Sequence, residues 1–304
     1  MKTYPRIPAS PRARRAMRQR GIDAASVKGS GPNGRIVEAD VLRAAACGAG
    51  VSPAWAAGTA APQGNLAQPP SKTTPVGTIS SMRRAVAAKV AESFATVPHF
   101  YLRSEVDATL LVQLREQNLA AIEKSCGVRP SITDFLLRAM ALALRDCPTA
   151  NRIWQNDGIV QLPTIDVGLV IQCGDGLMVP VIQNADRLGL MEMARQRAKL
   201  TEIVRSGKAP AELFHGGATS LTNLGRRRVD EFTAIISPPQ SSILAVGRLA
   251  ERPAVYEGRI CVWQTMNLTL SVDHRVMDGV PAAEFLDRIT ELLETPLLLL
   301  CDIC

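Results

Sequence analysis

Apolar residues recur at helical spacing in several separate stretches of the chain. From Ser80 to Phe94, Met82, Val86, Val90 and Phe94 share one face. Residues 107–123, 132–145 and 190–204 read as further helices, the last strongly periodic. Val280 to Leu293 places Phe285, Leu286, Ile289, Leu292 and Leu293 at the same spacing. Between these lie runs with strand character at 98–106, 218–223, 242–246 and 261–270. Two more, 165–173 and 177–182, flank Gly174-Asp175-Gly176 and read as a strand pair around that turn. Strands and helices alternate irregularly, which predicts a mixed sheet covered by helices, an α+β or α/β two-layer sandwich.

Before residue 78 the pattern changes. Ser10 can cap a helix over Arg12 to Arg20, with Pro11 in its first turn and Gly21 at its end. A glycine-rich loop, Gly29 to Arg35, leads into a second helix over Glu38 to Ala46. Such a loop can cradle phosphate at a helix start, but no strand precedes it and the P-loop lysine is absent. Residues 4–46 therefore read as a small all-helical domain, near the lower size limit for folding alone. Residues 47–77 are Ala, Gly, Pro, Thr, Ser and Gln with almost no charge, a linker composition. The large domain is expected over 78–304.

Charge sharpens this division. Residues 1–47 hold ten Lys or Arg and three acids, and the remainder balances, so the whole net charge of +7 sits in the small domain. A local acidic partner fits that better than a generally basic protein. Nucleic acid is the generic alternative, and a solvated basic face the plain one. No apolar run reaches 18 residues, so no membrane span is expected. Seven scattered cysteines suit a reducing compartment, expected to be the cytoplasm. Cys301 and Cys304 form a C-x-x-C without a second pair, a weak metal or redox signal. No metal is expected.

The chemistry gathers at residues 271–279, Ser-Val-Asp-His-Arg-Val-Met-Asp-Gly. His274 falls at or just past a strand end, and Asp278 follows four residues later. An imidazole with a carboxylate nearby is the minimal kit for a general base near neutral pH. An ordinary surface turn is the competing reading.

The small domain resembles the peripheral subunit-binding domain of 2-oxo acid dehydrogenase acyltransferases. The resemblance lies in Ile7-Pro8-Ala9-Ser10-Pro11, Gly21-Ile22-Asp23 and Val27-Lys28-Gly29-Ser30-Gly31-Pro32-Asn33-Gly34-Arg35-Ile36. It implies that Arg14, Arg15, Arg18 and Arg35 grip an acidic surface on a dihydrolipoamide dehydrogenase or a 2-oxo acid decarboxylase. Val37 stands where the family usually has a capping Thr or Ser, a cost of about 1 kcal/mol to the second helix.

The large domain resembles the dihydrolipoamide acyltransferase catalytic domain, which shares its fold with chloramphenicol acetyltransferase. The landmarks are Ser80-Ser81-Met82-Arg83-Arg84, Pro98-His99-Phe100, Gly176-Leu177-Met178-Val179-Pro180-Val181, Gly216 to Gly225, Pro238-Pro239-Gln240 and Asp273 to Gly279. The resemblance implies acyl transfer between dihydrolipoamide and coenzyme A, with His274 as base and Thr222 as oxyanion donor. Asp278 becomes a loop strut, with Arg83 the best candidate to pair with it and Arg84 the next. It implies a homotrimer, or a larger trimer-based core, with each active site between subunits. Coenzyme A is then a substrate, and the lipoyl group is expected from a separate lipoyl-bearing protein. Leu297 to Leu300 resembles the apolar segment that docks on a neighbouring trimer. A non-catalytic scaffold, or a coenzyme A-dependent acyltransferase with another acceptor, are the alternatives. His99 is expected to be a packing residue and His215 exposed. Arg226-Arg227-Arg228 departs from the family pattern and reads as a solvated turn or a contact for coenzyme A phosphates.

Overall fold

The computed structural model describes residues 8–48, 79–174 and 176–300. Most of the expected linker, together with Cys301 and Cys304, lies outside the described residues. The chain divides into two compact units, Met1–Thr74 and Pro75–Cys304.

In the smaller unit, α1 (Pro11–Arg20) starts where the Ser10 hydroxyl accepts from the Ala13 amide and ends at Gly21 in a left-handed conformation. A second helix, α2 (Glu38–Gly48), follows the glycine-rich loop. Ala13, Ala16, Met17, Val27, Ile36 and Val41 form the core between them. The expected capping deficit at Val37 is partly made good. Asp40, in the first turn of α2 and 3% exposed, accepts from the Val37 amide at 3.0 Å. That is the reciprocal half of a capping box. The same carboxylate takes the Ser30 amide and hydroxyl at 2.9 and 2.6 Å. The Ser30 hydroxyl, then the two amides, hold the Asp40 carboxyl below the ordinary carboxylate range.

The larger unit runs, in chain order, α3 (Ser81–Thr96), β1 (His99–Asp107), α4 (Thr109–Cys126), α5 (Ile132–Asp146), β2 (Arg152–Gln155), β3 (Gly158–Gln161), β4 (Val167–Leu169), β5 (Ile171–Cys173), β6 (Gly176–Met178), β7 (Val181–Ile182), α6 (Leu190–Arg205), β8 (Thr219–Asn223), β9 (Ser242–Val246), β10 (Ala250–Tyr256), β11 (Arg259–Asp273) and α7 (Gly279–Glu294). The main sheet has the order β1-β11-β9-β8-β4-β7, with β10 also paired to β11. It is mixed: β11 is antiparallel to β1 and β9, while β8 is parallel to β9 and β4.

Alternation along β11 sorts the two faces of the sheet. Leu268, Leu270 and Val272 enter the main apolar core. Asn267, Thr269, Ser271 and Asp273 take the other face and are also buried. Segment 229–241 covers that polar face: Asp230 O accepts from Asn267 and Ala234 O from Ser271. The most enclosed helix is α5, apolar nearly all round, as a central helix must be. Its buried Asp134 completes a capping box with Ser131 and pairs with Arg197 of α6.

Two expectations change. The run 165–182 is not one hairpin but two short pairs, β4 with β7 and β5 with β6. The break falls at Val170, whose amide leaves the pair to donate to Leu221 O. The apolar face of α3 is open, with Met82, Val90 and Phe94 at 37, 40 and 69% exposure. Among the described residues, no helix is long and apolar enough to cross a membrane.

Candidate active site

The end of β11 positions His274. Its amide donates to Pro98 O at 3.0 Å, one residue before β1 begins. Its ring packs on Phe100 of β1, centroids 4.6 Å apart. Nδ1 faces Asp278 Oδ1 at 3.5 Å, an electrostatic approach too long for a good hydrogen bond. Nε2 is the nitrogen left for a substrate proton. The side chain is about half exposed, so a thiol can reach it.

Asp278 sits at the N-cap of α7 with its side chain 85% exposed. The expected Arg83–Asp278 pair is not made within the chain. Asp278 Oδ1 instead faces His274 Nδ1, whereas Arg83 is exposed in the first turn of α3, its amide bonded to Ser80 Oγ. A helix start and a strand-end loop are joined here by local sequence spacing, which the i to i+4 relation alone satisfies.

Thr222 lies in β8, half-buried. Among the described residues its hydroxyl makes no hydrogen bond. Leu221 enters the apolar core, so Thr222 faces the opposite, polar side of the sheet. Register keeps it far from His274 of its own chain. Thr222 is level with Ala245, and Ala245 with Thr269. His274 stands five residues beyond Thr269. At ~3.3 Å per residue and ~4.8 Å per strand, the two lie roughly 19 Å apart.

The other two histidines stand apart from this site. His99 Nδ1 donates to Val97 O at 2.8 Å, and Nε2 accepts from the Ile236 amide at 3.1 Å. His215 is exposed. Arg226, Arg227 and Arg228 occupy the exposed turn after β8, and among the described residues none forms an ion pair. Nearby Arg248 and Arg252, by contrast, are held by Asp230. In the smaller unit, Arg14, Arg15, Arg18 and Arg35 line one groove of about 670 Å³ with Pro8 and Ser10. All four are exposed.

Residues that pattern-reading missed surround His274. Asp273 is 1% exposed and is gripped by Arg275, and Arg275 lies 5.0 Å from the Trp154 ring centroid. The Asp-x-Arg spacing was a usable signal; Trp154 was not, because β2 had not been recognised.

The family model of the 2-oxoacid dehydrogenases acyltransferase catalytic domain matches residues 71–301. The chain belongs to this acyltransferase family. A second family model, described as an e3 binding domain, matches residues 7–42. The pyruvate dehydrogenase dihydrolipoyllysine-residue acetyltransferase component of Rickettsia conorii is 36% identical over 295 residues, covering 97% of this chain and 68% of the relative. A solved structure of a probable dihydrolipoamide acetyltransferase from Listeria monocytogenes has 33% identity and a TM-score of 0.69, covering 72% of this chain and 94% of the other. The Azotobacter vinelandii dihydrolipoamide acetyltransferase has 29% identity and a TM-score of 0.69, covering 77% and 99%. In that Azotobacter enzyme a serine, a histidine 52 residues later and an asparagine four beyond it have a role in the catalytic mechanism. The mixed helix and sheet fold expected for the acyltransferase is the one these neighbours have.

Proposed function

We propose that this acyltransferase moves an acyl group between a dihydrolipoyl thiol and coenzyme A, with His274 as general base and Thr222 as oxyanion donor. The observation that carries the reading is the half-exposed His274, held by Pro98 and Phe100, whose Nε2 has no hydrogen-bond partner among the described residues. Spacing supports the roles: Thr222, His274 and Asp278 repeat the intervals of the serine, histidine and asparagine in the Azotobacter enzyme.

A thiol attacks only as thiolate. Nε2 takes the thiol proton as sulfur adds to the thioester carbonyl, and the new oxyanion is met by the Thr222 hydroxyl. Collapse expels the second sulfur, which takes the proton back from His274. One carbon–sulfur bond forms and one breaks, and no acyl-enzyme is needed. Asp278 faces Nδ1 and favours the tautomer that leaves Nε2 basic. The separation of Thr222 from His274 in one chain supports a site completed by a neighbouring copy, hence a trimer.

The acyl group arrives on a lipoyl group, and the arginine groove of the smaller unit takes an acidic face of a dihydrolipoamide dehydrogenase or decarboxylase. The Arg226–Arg228 turn follows the strand of Thr222 closely enough for it to meet coenzyme A phosphates. The setting is cytoplasmic. The test is transfer between acetyl-coenzyme A and dihydrolipoamide. His274→Ala should abolish it, and an active His274→Ala protein refutes the base. For the smaller unit, Arg14→Ala with Arg35→Ala should remove salt-sensitive binding of the dehydrogenase; unchanged binding refutes that surface.

A further inference from the structure

The residues on either side of His274 are locked to each other. Asp273 presents a carboxylate that is 2% exposed. Arg275 reaches back over His274 to grip it: Nε to Oδ1 at 3.0 Å and Nη2 to Oδ2 at 2.7 Å. The Arg275 amide also donates to Oδ1 at 3.0 Å. This forked pairing of a planar guanidinium with a carboxylate fixes orientation as well as distance. It closes a small ring around His274.

The ring is anchored on three sides. The Asp273 amide donates to Ser241 O at 2.8 Å, and the His274 amide to Pro98 O at 3.0 Å. Val276 and Met277 both donate to Asp273 O, which turns the chain away toward α7. The third side is the guanidinium itself, whose carbon lies 5.0 Å from the centroid of the Trp154 ring. Trp154 belongs to β2, which is tied to the main sheet where the Ser241 hydroxyl donates to Arg152 O at 2.6 Å. Ser241 thus holds both the strand of Trp154 and the amide of Asp273.

We infer that Trp154 and Arg275 are positioning residues for the acyl-transfer reaction, setting the direction of the His274 imidazole without touching substrate. This rests on the reading of His274 as the base. The His274 side chain is half exposed, and its direction therefore depends on its own backbone and on the Phe100 ring. The backbone is set by the clamp on its two neighbours. Arg275 remains 30% exposed, and without the aromatic face its fork would compete with water. An ammonium would keep attraction to the indole face but lose the planar fork that grips both Asp273 oxygens, so lysine is no full substitute.

The experiment measures kcat and KM for acetyl-coenzyme A and dihydrolipoamide on the full chain, with melting temperature and sedimentation as controls. Trp154→Ala leaves the buried Asp273 its charge partner but takes the indole from both the guanidinium and the main apolar core it packs against, so the melting temperature and Trp154→Phe separate the two effects. It should lower kcat by about 10- to 100-fold, the scale of a small misplacement of a reacting group, with both KM values within twofold. Arg275→Lys should do the same. Trp154→Phe keeps an aromatic face and should stay within about threefold of wild type. Trp154→Ala protein that is assembled and retains half its kcat overturns the inference. So does a loss in which Ala and Phe variants fall together and KM rises with them, the signature of general loosening. If Trp154→Ala fails to assemble, Trp154→Phe and Arg275→Lys decide by the same criteria. Activity surviving in His274→Ala would instead overturn the base, which separates the two failures.

Discussion

Replacing Thr222 by valine isolates the oxyanion donor. The swap removes one hydroxyl and keeps the branched shape that a strand favours. Thr222 is half-buried in β8, and among the described residues its hydroxyl has no hydrogen bond to lose. The folded state should therefore change by no more than about 0.5 kcal/mol, and the melting temperature and assembly should hold. The transition state is different. A donor aimed at a developing oxyanion contributes about 2.7–4 kcal/mol, so kcat should fall about 10²- to 10³-fold. KM should stay near wild type, because the ground-state carbonyl gains little from that donor. Thr222→Ser keeps the hydroxyl and should lose less than about tenfold. The assay follows thioester formation from acetyl-coenzyme A and dihydrolipoamide under saturating and limiting substrate. A valine variant within threefold of wild-type kcat would refute the role, as would a loss expressed wholly in KM.

Acid should loosen the smaller unit through Asp40. Its carboxyl is held below the ordinary value by Ser30 and Val37, so its stabilisation is present above the unfolded value and is lost as pH falls through the lower folded one. Protection of the Ser30 and Val37 amides of the full chain, taken relative to the intrinsic exchange rate at each pH, should fall below about pH 4, and in Asp40→Asn it should be low and flat across that range. At the turn after β8, Arg226→Gln with Arg228→Gln should raise KM for coenzyme A several-fold and leave KM for pantetheine unchanged. Equal effects on both substrates would remove phosphate recognition from that turn.

Sequence pattern foretold the elements whose signals are local. The helix α5 carries its apolar repeat within fifteen residues, with its capping Ser131 directly before them, and β9 was bounded correctly because both ends meet polar loop. The hairpin β2–β3 was missed although Asn156 and Asp157 both take left-handed conformations, the turn type that Asn, Asp and Gly favour. The strand β10 was missed because it is mostly exposed and carries Pro253, which marks an edge. His274 and Asp278 came together because four residues suffice. The distance from Thr222 to His274 did not emerge, since it depends on two strand registers between segments far apart in sequence. The same reason hid Trp154 behind Arg275. The apolar face of α3 was seen correctly as a face, but burial within the chain did not follow.

The central claim is that Thr222 and His274 act on one substrate from two chains. It is tested by mixing His274→Ala and Thr222→Ala chains in equal amounts, unfolding and refolding them together, and comparing specific activity with wild type. In a cyclic trimer each site pairs the histidine of one subunit with the threonine of the next, so random mixing restores about one quarter of the wild-type sites. Activity near that fraction is the expected result. Activity no higher than the average of the two variants assayed alone would contradict the account.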